Sequence, residues 1–434
     1  MACVSAVTLQ AQTLVVTTLW QDCDAAGTLP AWFSKTSSNT RGIGSSSSKI
    51  YVATRDGVVG RNIYVYDAAN GAYLDTLKNT ASCVGGRFNI DDVGCTNDGK
   101  VITASMAMVS TTSAYQNLKI YMYNETNQNY DVICDIPAVT VRLGDVFTVT
   151  GDYSKGTAKI WLASAPSASS SSVPSVIFYL GMTGGQWNTS LTQFSTLAIT
   201  SGSTATVVNP SLAVKPDGSM YWKGAGGSGA LRYIDSNGQA TFANNKNWSW
   251  ISNTIKYLGY NSTTKLDYFA AFTYGSAIKR ERADILSVDP TDIAGTCKVI
   301  DSTAVLGTNP NIGGTGDIAV RYDANNNPIV YVLSSNNGFA AYKIEGLGLD
   351  PASLTSGLTN ATTGQVDITT YPNPATDVVY ISETAKTIKL VSATGQLVKE
   401  AFNANELNVN GLHGVFLMEI KTDNGCVVKK VVVK

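Results

Sequence analysis

Histidine is almost missing from this chain. Of 434 residues one is His, His413, and it lies near the C-terminal end. A Ser-His-Asp or Cys-His device in the main body is thereby excluded, and so is an H-E-x-x-H zinc site. Charge is scarce too: charged residues make up 15%, well under the ~25% of an average soluble protein. Lys and Arg number 31 against 32 Asp and Glu, for a net charge of −1. A nucleic-acid binder needs a basic surface that releases counterions from phosphates, and this balance argues against one. Glutamate is thinner still, with only Glu125, Glu281 and Glu345 in the first 345 residues. A hydrolase built on an Asp/Glu pair has little to draw on. Glu281 sits in Lys279-Arg-Glu-Arg282, which reads as a solvated charged loop. No apolar run approaches the ~20 residues that cross a bilayer as a helix. No phosphate-cradling loop occurs, and neither a cofactor nor a metal is expected.

What is abundant is strand and turn material. Hydrophobic residues reach 44%, Gly contributes 39 residues, and Ser and Thr are frequent. Between Thr13 and Glu345 a strand–turn–strand unit recurs at intervals of about 50–60 residues. Lys49-Ile-Tyr-Val-Ala-Thr54 and Asn62-Ile-Tyr-Val-Tyr-Asp67 belong to the first unit. Leu118-Lys-Ile-Tyr-Met-Tyr123, Lys159-Ile-Trp-Leu-Ala163 and Ser219-Met-Tyr-Trp222 fall in the next three. Tyr268-Phe-Ala-Ala-Phe272 and Pro328-Ile-Val-Tyr-Val-Leu333 fall in the last two. Units of about four short strands that cannot bury both faces alone are the signature of propeller blades. The expectation is an all-β chain: a β-propeller of about six blades over 13–345, a linker over 346–365, and a small antiparallel β-sandwich over 366–434. The last repeat is one strand short, and Leu14-Val-Val-Thr-Thr-Leu-Trp20 supplies the strand that closes the ring. A double-sheet sandwich is the alternative for the body.

Asp92, Asp145 and Asp317 each precede Val or Ile and an alternating strand. If those strands are innermost, the three carboxylates ring one mouth of the channel. The chemical reading is a cation site or a carboxylate pair for glycoside cleavage. The structural reading is that each Asp bonds backbone amides at a strand start, and recurrence from blade to blade favours it. Arg87 and Arg142 precede two of these residues and are candidate ion-pair partners. Trp248 and Trp250 fall on one side of an extended Asn247-Trp-Ser-Trp-Ile251, as sugar-stacking or inter-blade residues. Cys83 and Cys95 are the nearest candidates for a disulfide, and buried free thiols acting as small hydrophobes are the alternative reading.

The C-terminal 70 residues carry the most specific pattern. Tyr371 is followed by Pro372, Asn373 and Pro374, a fixed turn, and then by alternating Asp377-Val-Val-Tyr-Ile381. Ala393-Thr-Gly-Gln-Leu-Val398, with Gly395, and Gly414-Val-Phe-Leu417 follow, before a Lys-bearing final strand. In order and spacing this segment resembles the C-terminal sorting domain of the type IX secretion system of Bacteroidota. The resemblance implies entry to the periplasm by a signal peptide and passage across the outer membrane through the type IX translocon. The translocon and sorting machinery are then the partners of residues 366–434, and the destination is the outer-membrane surface or the extracellular space. Residues 1–12, small and apolar and ending in Leu9-Gln-Ala-Gln12, fit a signal-peptide remnant, although a basic n-region is missing. The functional expectation is a secreted binding protein for an extracellular glycan or protein. A carbohydrate-active hydrolase or lyase and a structural surface or filament subunit are the alternatives.

Overall fold

The computed structural model describes residues 13–434 except 56–60, 111, 166–173, 198–207, 226–230, 243–251, 275–279, 312, 355–368, 393–396 and 423–425. It separates into two compact units, Met1–Thr359 and Asn360–Lys434. In the first, six four-stranded antiparallel sheets follow one another along the chain. Their first strands are Thr40–Ser45, Phe88–Cys95, Phe147–Thr150, Val208–Val214, Ser252–Asn261 and Gly316–Tyr322. Each first strand touches that of the next sheet, and the sixth touches the first. They enclose a channel, and the sheets are the blades of a six-bladed propeller.

Strand Lys49–Thr54 of blade 1 shows why these segments assemble in this way. Side chains alternate to opposite faces. Ile50 and Val52 enter an apolar cluster shared with blade 6, whereas Tyr51 and Ala53 enter one shared with blade 2. Buried on both faces, the strand reads as a nearly continuous apolar run. Each pair of neighbouring blades shares such a cluster.

Blade 6 takes three strands from Gly316–Glu345, and its outermost strand is Val15–Cys23. That strand runs antiparallel to Gly338–Glu345, with Val15 opposite Glu345 and Cys23 opposite Gly338. The N-terminal segment thus completes the last blade. Trp20 within it also reaches blade 1, where its indole Nε1 donates to the Ala68 carbonyl at 3.2 Å.

Two features differ from expectation. Gly346–Leu354, assigned to the linker, lie as a strap along the propeller. Leu347 is buried, its carbonyl accepts from Asn261 Nδ2 at 2.9 Å, and the Asp350 N–H donates to the Tyr260 carbonyl at 2.8 Å. Cys83 and Cys95 remain separate thiols. Both pack against the cluster between blades 1 and 2, and burial pushes the Cys83 thiol up to about 12. They serve as small apolar side chains. Residues 1–12, the expected signal remnant, lie outside the described residues.

The second unit is a five-stranded β domain. Its long strand Val378–Ser392 pairs with Thr370–Tyr371, Leu397–Asn408 and Gly414–Lys421, and the last of these pairs with Cys426–Val433. Val379, Ile388, Leu390, Met418, Ile420 and Val431 form its core. The Pro372-Asn373-Pro374 turn is fastened to the final strand. Asn373 Nδ2 donates to the Lys430 carbonyl at 2.7 Å, and its Oδ1 accepts the Val432 N–H at 2.9 Å. The side-chain amide thereby stands in for a strand's peptide group, and the Ala375 N–H continues the ladder to the Val432 carbonyl at 2.8 Å. Gly414 opens its strand at φ +124°, where side-chain-bearing residues are strained. Gly395 lies outside the described residues.

Asn373→Ala removes both bonds and leaves the groups on the last strand without this partner. We expect a loss of about 1–3 kcal/mol in this unit. Hydrogen exchange at the Val432 amide in the full chain reads it directly, and unchanged protection there would show that the clamp contributes nothing.

Candidate functional site at the front mouth of the channel

At the front of the channel, where the inner strands begin, the structure separates the three carboxylates marked out in the sequence. Asp92 and Asp317 lie on the inner strands of blades 2 and 6 and are 2% and 1% exposed. Asp317 Oδ2 accepts the Ile43 N–H of blade 1 at 2.9 Å, and Oδ1 accepts the Ile318 N–H at 2.8 Å. Asp92 repeats the pattern, with the Phe147 N–H of blade 3 on Oδ2 and the Val93 N–H on Oδ1, both at 2.8 Å. Each carboxylate therefore joins its own blade to the backbone of the following one.

Hydroxyls do the same work elsewhere. Thr148 Oγ1 of blade 3 donates to the Leu212 carbonyl of blade 4 at 2.8 Å. Ser211 Oγ of blade 4 accepts the Ile255 N–H of blade 5 at 3.3 Å. Thr254 Oγ1 of blade 5 donates to the Gly316 carbonyl of blade 6 at 2.8 Å. Blade 1 has Gly42 at this level, and a Cβ there would stand 2.5 Å from Asp92 Oδ1 and 2.7 Å from the Val93 nitrogen. Here the backbones approach so closely that no side chain fits between them.

Asp145 is not part of this ring. It lies two residues ahead of strand Phe147–Thr150 and is clasped by Arg142, through Nε at 2.7 Å and through Nη2. Arg87 is not paired with Asp92. Its guanidinium lies 5.7 Å from the centre of the Phe88 ring and 5.9 Å from that of Tyr115.

The Asp92 and Asp317 carboxyl groups also lie close enough to act on each other. Burial and the Asp317 charge push Asp92 well above the ordinary carboxylate range. Burial raises Asp317 as well, against the opposing pull of the Lys256 ammonium and of the Ile43 and Ile318 N–H groups. Two buried carboxyls whose charges repel cannot both ionise cheaply, which favours a proton shared by the pair. Lys256 itself donates to the Phe147 carbonyl at 3.1 Å and to Thr148 Oγ1 at 3.2 Å. The channel cavity that these residues border measures about 90 Å³, whereas small-molecule sites run to ~300–1,000 Å³. A space of that size does not admit a sugar chain.

Sequence reasoning missed the residues that dominate the mouth. Arg41, Arg55 and Asp91 converge there, with Arg41 Nε 3.9 Å and Arg55 Nη1 3.5 Å from Asp91 Oδ1. Asp91 is 1% exposed, and neither of its carboxylate oxygens has a hydrogen-bond partner. Burial, together with the adjacent Arg41 charge, pushes Arg55 down to about 10. The signal was present in hairpin geometry, since Thr40 lies opposite Thr54 and the residue after each is an arginine. Glu281 corrects the solvated-loop reading. It is fully buried, accepting from Asn311 Nδ2 at 3.0 Å and Ser334 Oγ at 2.6 Å. At the back of the channel a cavity of about 390 Å³ opens beside Lys159, Trp161 and Lys215. Trp161 is 2% exposed there, and Lys215 is tied to Asp267 at 2.8 Å, so neither is presented to a ligand. Trp248 and Trp250 lie outside the described residues.

Comparison with known proteins matches residues 369–434 to the family model of the secretion system C-terminal sorting domain. This tail marks the chain as an exported cargo bound for the cell surface or the extracellular space. No curated protein matches the sequence. Among solved structures the chain is similar to PorZ, a surface component of the type IX secretion system of Porphyromonas gingivalis, at 12% identity and a TM-score of 0.34. That alignment covers 91% of this chain and 51% of PorZ, so the chain spans about half of PorZ's length. It is also similar to an α-L-arabinanase of Penicillium chrysogenum, at 10% identity and a TM-score of 0.48, over 78% of this chain and 100% of that one. An aldose sugar dehydrogenase of Streptomyces coelicolor aligns at 11% identity with a TM-score of 0.42, over 77% and 99%. Nothing about ligand or chemistry follows from likenesses at this level.

Folding raises both carboxyl pKa values, so the folded chain holds protons that the unfolded chain releases. The stability contributed is complete at acid pH and is lost as pH climbs through the raised values. Asp92→Asn supplies a neutral amide that keeps the bond to Phe147 and donates towards Asp317. We expect its melting temperature to fall less steeply than wild type's from about pH 5 upward. Asp92→Ala strands the Phe147 N–H and costs about 1–3 kcal/mol at every pH. A wild-type slope retained in Asp92→Asn would dismiss the shared proton.

Proposed function

We propose that the propeller is a non-catalytic recognition module of an exported protein and takes a glycan or protein partner at the front mouth of its channel. One observation carries the reading: the carboxylates that hydrolysis would need are already committed. Asp92 and Asp317 are bonded to backbone N–H groups of the following blades and are 2% and 1% exposed. Asp145 is clasped by Arg142. A general acid or base must come within about 3 Å of the bond it works on, and none of the three is placed to do so. The sorting tail supplies the route to the surface, and engagement of the type IX machinery by residues 369–434 is part of the same reading.

The test uses the full chain, a panel of polysaccharides, and thermal melting followed by product analysis. A ligand that binds only the folded state raises the midpoint by mass action. The expected result is a shift with no released product, retained in Asp145→Asn. Product release that disappears in Asp145→Asn would replace recognition with catalysis, and concentration-dependent light scattering without any shift would replace it with a structural subunit.

A further inference from the structure

The front mouth concentrates positive charge in a chain that has little of it. Arg41 and Arg55 stand side by side, and among the described residues Asp91 is the acidic neighbour within salt-bridge distance of both. The 3.5 and 3.9 Å separations are too long for direct hydrogen bonds. Arg41 makes no hydrogen bond to any described residue, although its side chain is only 11% exposed. Arg55 spends one donor, Nε, on Asn39 Oδ1 at 3.4 Å. A guanidinium offers five donors in a planar fork matched to an oxyanion. Two such forks crowded together, with an unbonded carboxylate behind them, are an unfavourable arrangement that a bound anion relieves. Asp145 acts on Arg55 from further away and is itself clasped by Arg142, so it forms no ion pair with either fork.

A second set of contacts extends the site outward. The Arg55 guanidinium lies 3.8 Å from the centre of the Phe88 ring, and Arg87 stacks towards the same ring and towards Tyr115. Tyr115 is 38% exposed. An apolar ring face beside oxyanion-binding forks suits a molecule with both an acidic group and a flat C–H face.

We propose that Arg41 and Arg55 form an oxyanion site for an acidic saccharide, whose carboxylate or sulfate enters the mouth while Arg87 and Tyr115 hold the sugar ring at the rim. This rests on the recognition reading above and adds the ligand's chemistry to it.

Isothermal titration of the full chain with oligogalacturonate, a sulfated dextran oligosaccharide and neutral dextran tests it. The acidic probes are expected to bind and dextran not to. Arg41→Gln and Arg55→Gln should each weaken binding about tenfold or more, the scale of a lost charge-assisted fork. Arg41→Lys, which keeps charge without the fork, should recover part of the loss. Arg87→Gln, at an exposed rim position, should weaken binding while the melting temperature changes little. Dextran binding as well as the acidic probes, indifferent to all four substitutions, would overturn the oxyanion site and leave recognition standing. No binding by any saccharide would overturn both the site and the glycan half of the recognition reading.

Discussion

The propeller depends on side chains that leave one blade and bind the backbone of the next. Apolar clusters fill the spaces between blades, but burial is non-directional and tolerates sliding. The inner strands meet at the narrow end of each wedge, where there is least room for error. Asp317 to Ile43, Asp92 to Phe147, Thr148 to Leu212, Ser211 to Ile255 and Thr254 to Gly316 fix the register there one seam at a time. The remaining seam, between blades 1 and 2, has Gly42 against Asp92 and is held by the closeness of the backbones. A buried N–H left without an acceptor costs about 1–3 kcal/mol, so the clamps at Ile43, Phe147 and Ile255 also balance a debt that closing the ring creates.

That constraint decides what chemistry is left. A buried carboxylate that accepts an N–H bond on each oxygen is held in the seam and is not presented to a substrate. Polar groups of the inner ring are used up in construction, and the groups still available lie one layer further forward. Arg41 precedes Gly42, and Asp91 precedes Asp92. Arg41 and Asp91 thus sit beside the two residues that meet where blades 1 and 2 approach most closely. Binding capacity at the front is thus a by-product of the same strands that close the ring.

The sequence carried the repeat because each blade is built from neighbouring segments, and strands buried on both faces leave apolar runs of recognisable length. It carried the role of Asp92 and Asp317 for the same reason: a structural residue recurs with the blade. Asp145 broke the pattern because it lies ahead of its strand, where an arginine three residues earlier is the closer partner. The convergence of Arg41, Arg55 and Asp91 was less visible. Arg41 and Arg55 are hairpin neighbours, but Asp91 belongs to another blade, and only the inter-blade approach at Gly42 brings the three together. Glu281 was misread because its partners, Asn311 and Ser334, are 30 and 53 residues away. The proximity of Cys83 and Cys95 in sequence stood for proximity in space, yet an apolar seam accommodates two thiols without joining them. In the tail the pattern was legible because Asn373 makes its contacts with strand backbone, which any sequence of that strand provides.

One seam is unlike the others. Five of the six join blades that follow one another along the chain, but blades 6 and 1 are brought together from opposite ends, and the Asp317–Ile43 bond spans 274 residues. Loop-closure entropy grows only with the logarithm of length, so the added cost is modest, but no local contact helps to hold this seam. It carries correspondingly more fastening. Strand Val15–Cys23 pairs with Gly338–Glu345 of blade 6, while Trp20 from the same strand bonds Ala68 of blade 1. Tyr331 of blade 6 adds a second bond to the Ala68 carbonyl at 2.9 Å, and Arg321 donates to the Ser47 carbonyl at 2.9 Å. An apolar cluster containing Ile50, Tyr66, Leu333 and Phe339 fills the space between. The N-terminal strand is therefore a crosslink across the single junction that chain continuity leaves open. The front mouth inherits its rigidity from this junction, because Arg41 and Arg55 are carried by the blade that the seam holds in place.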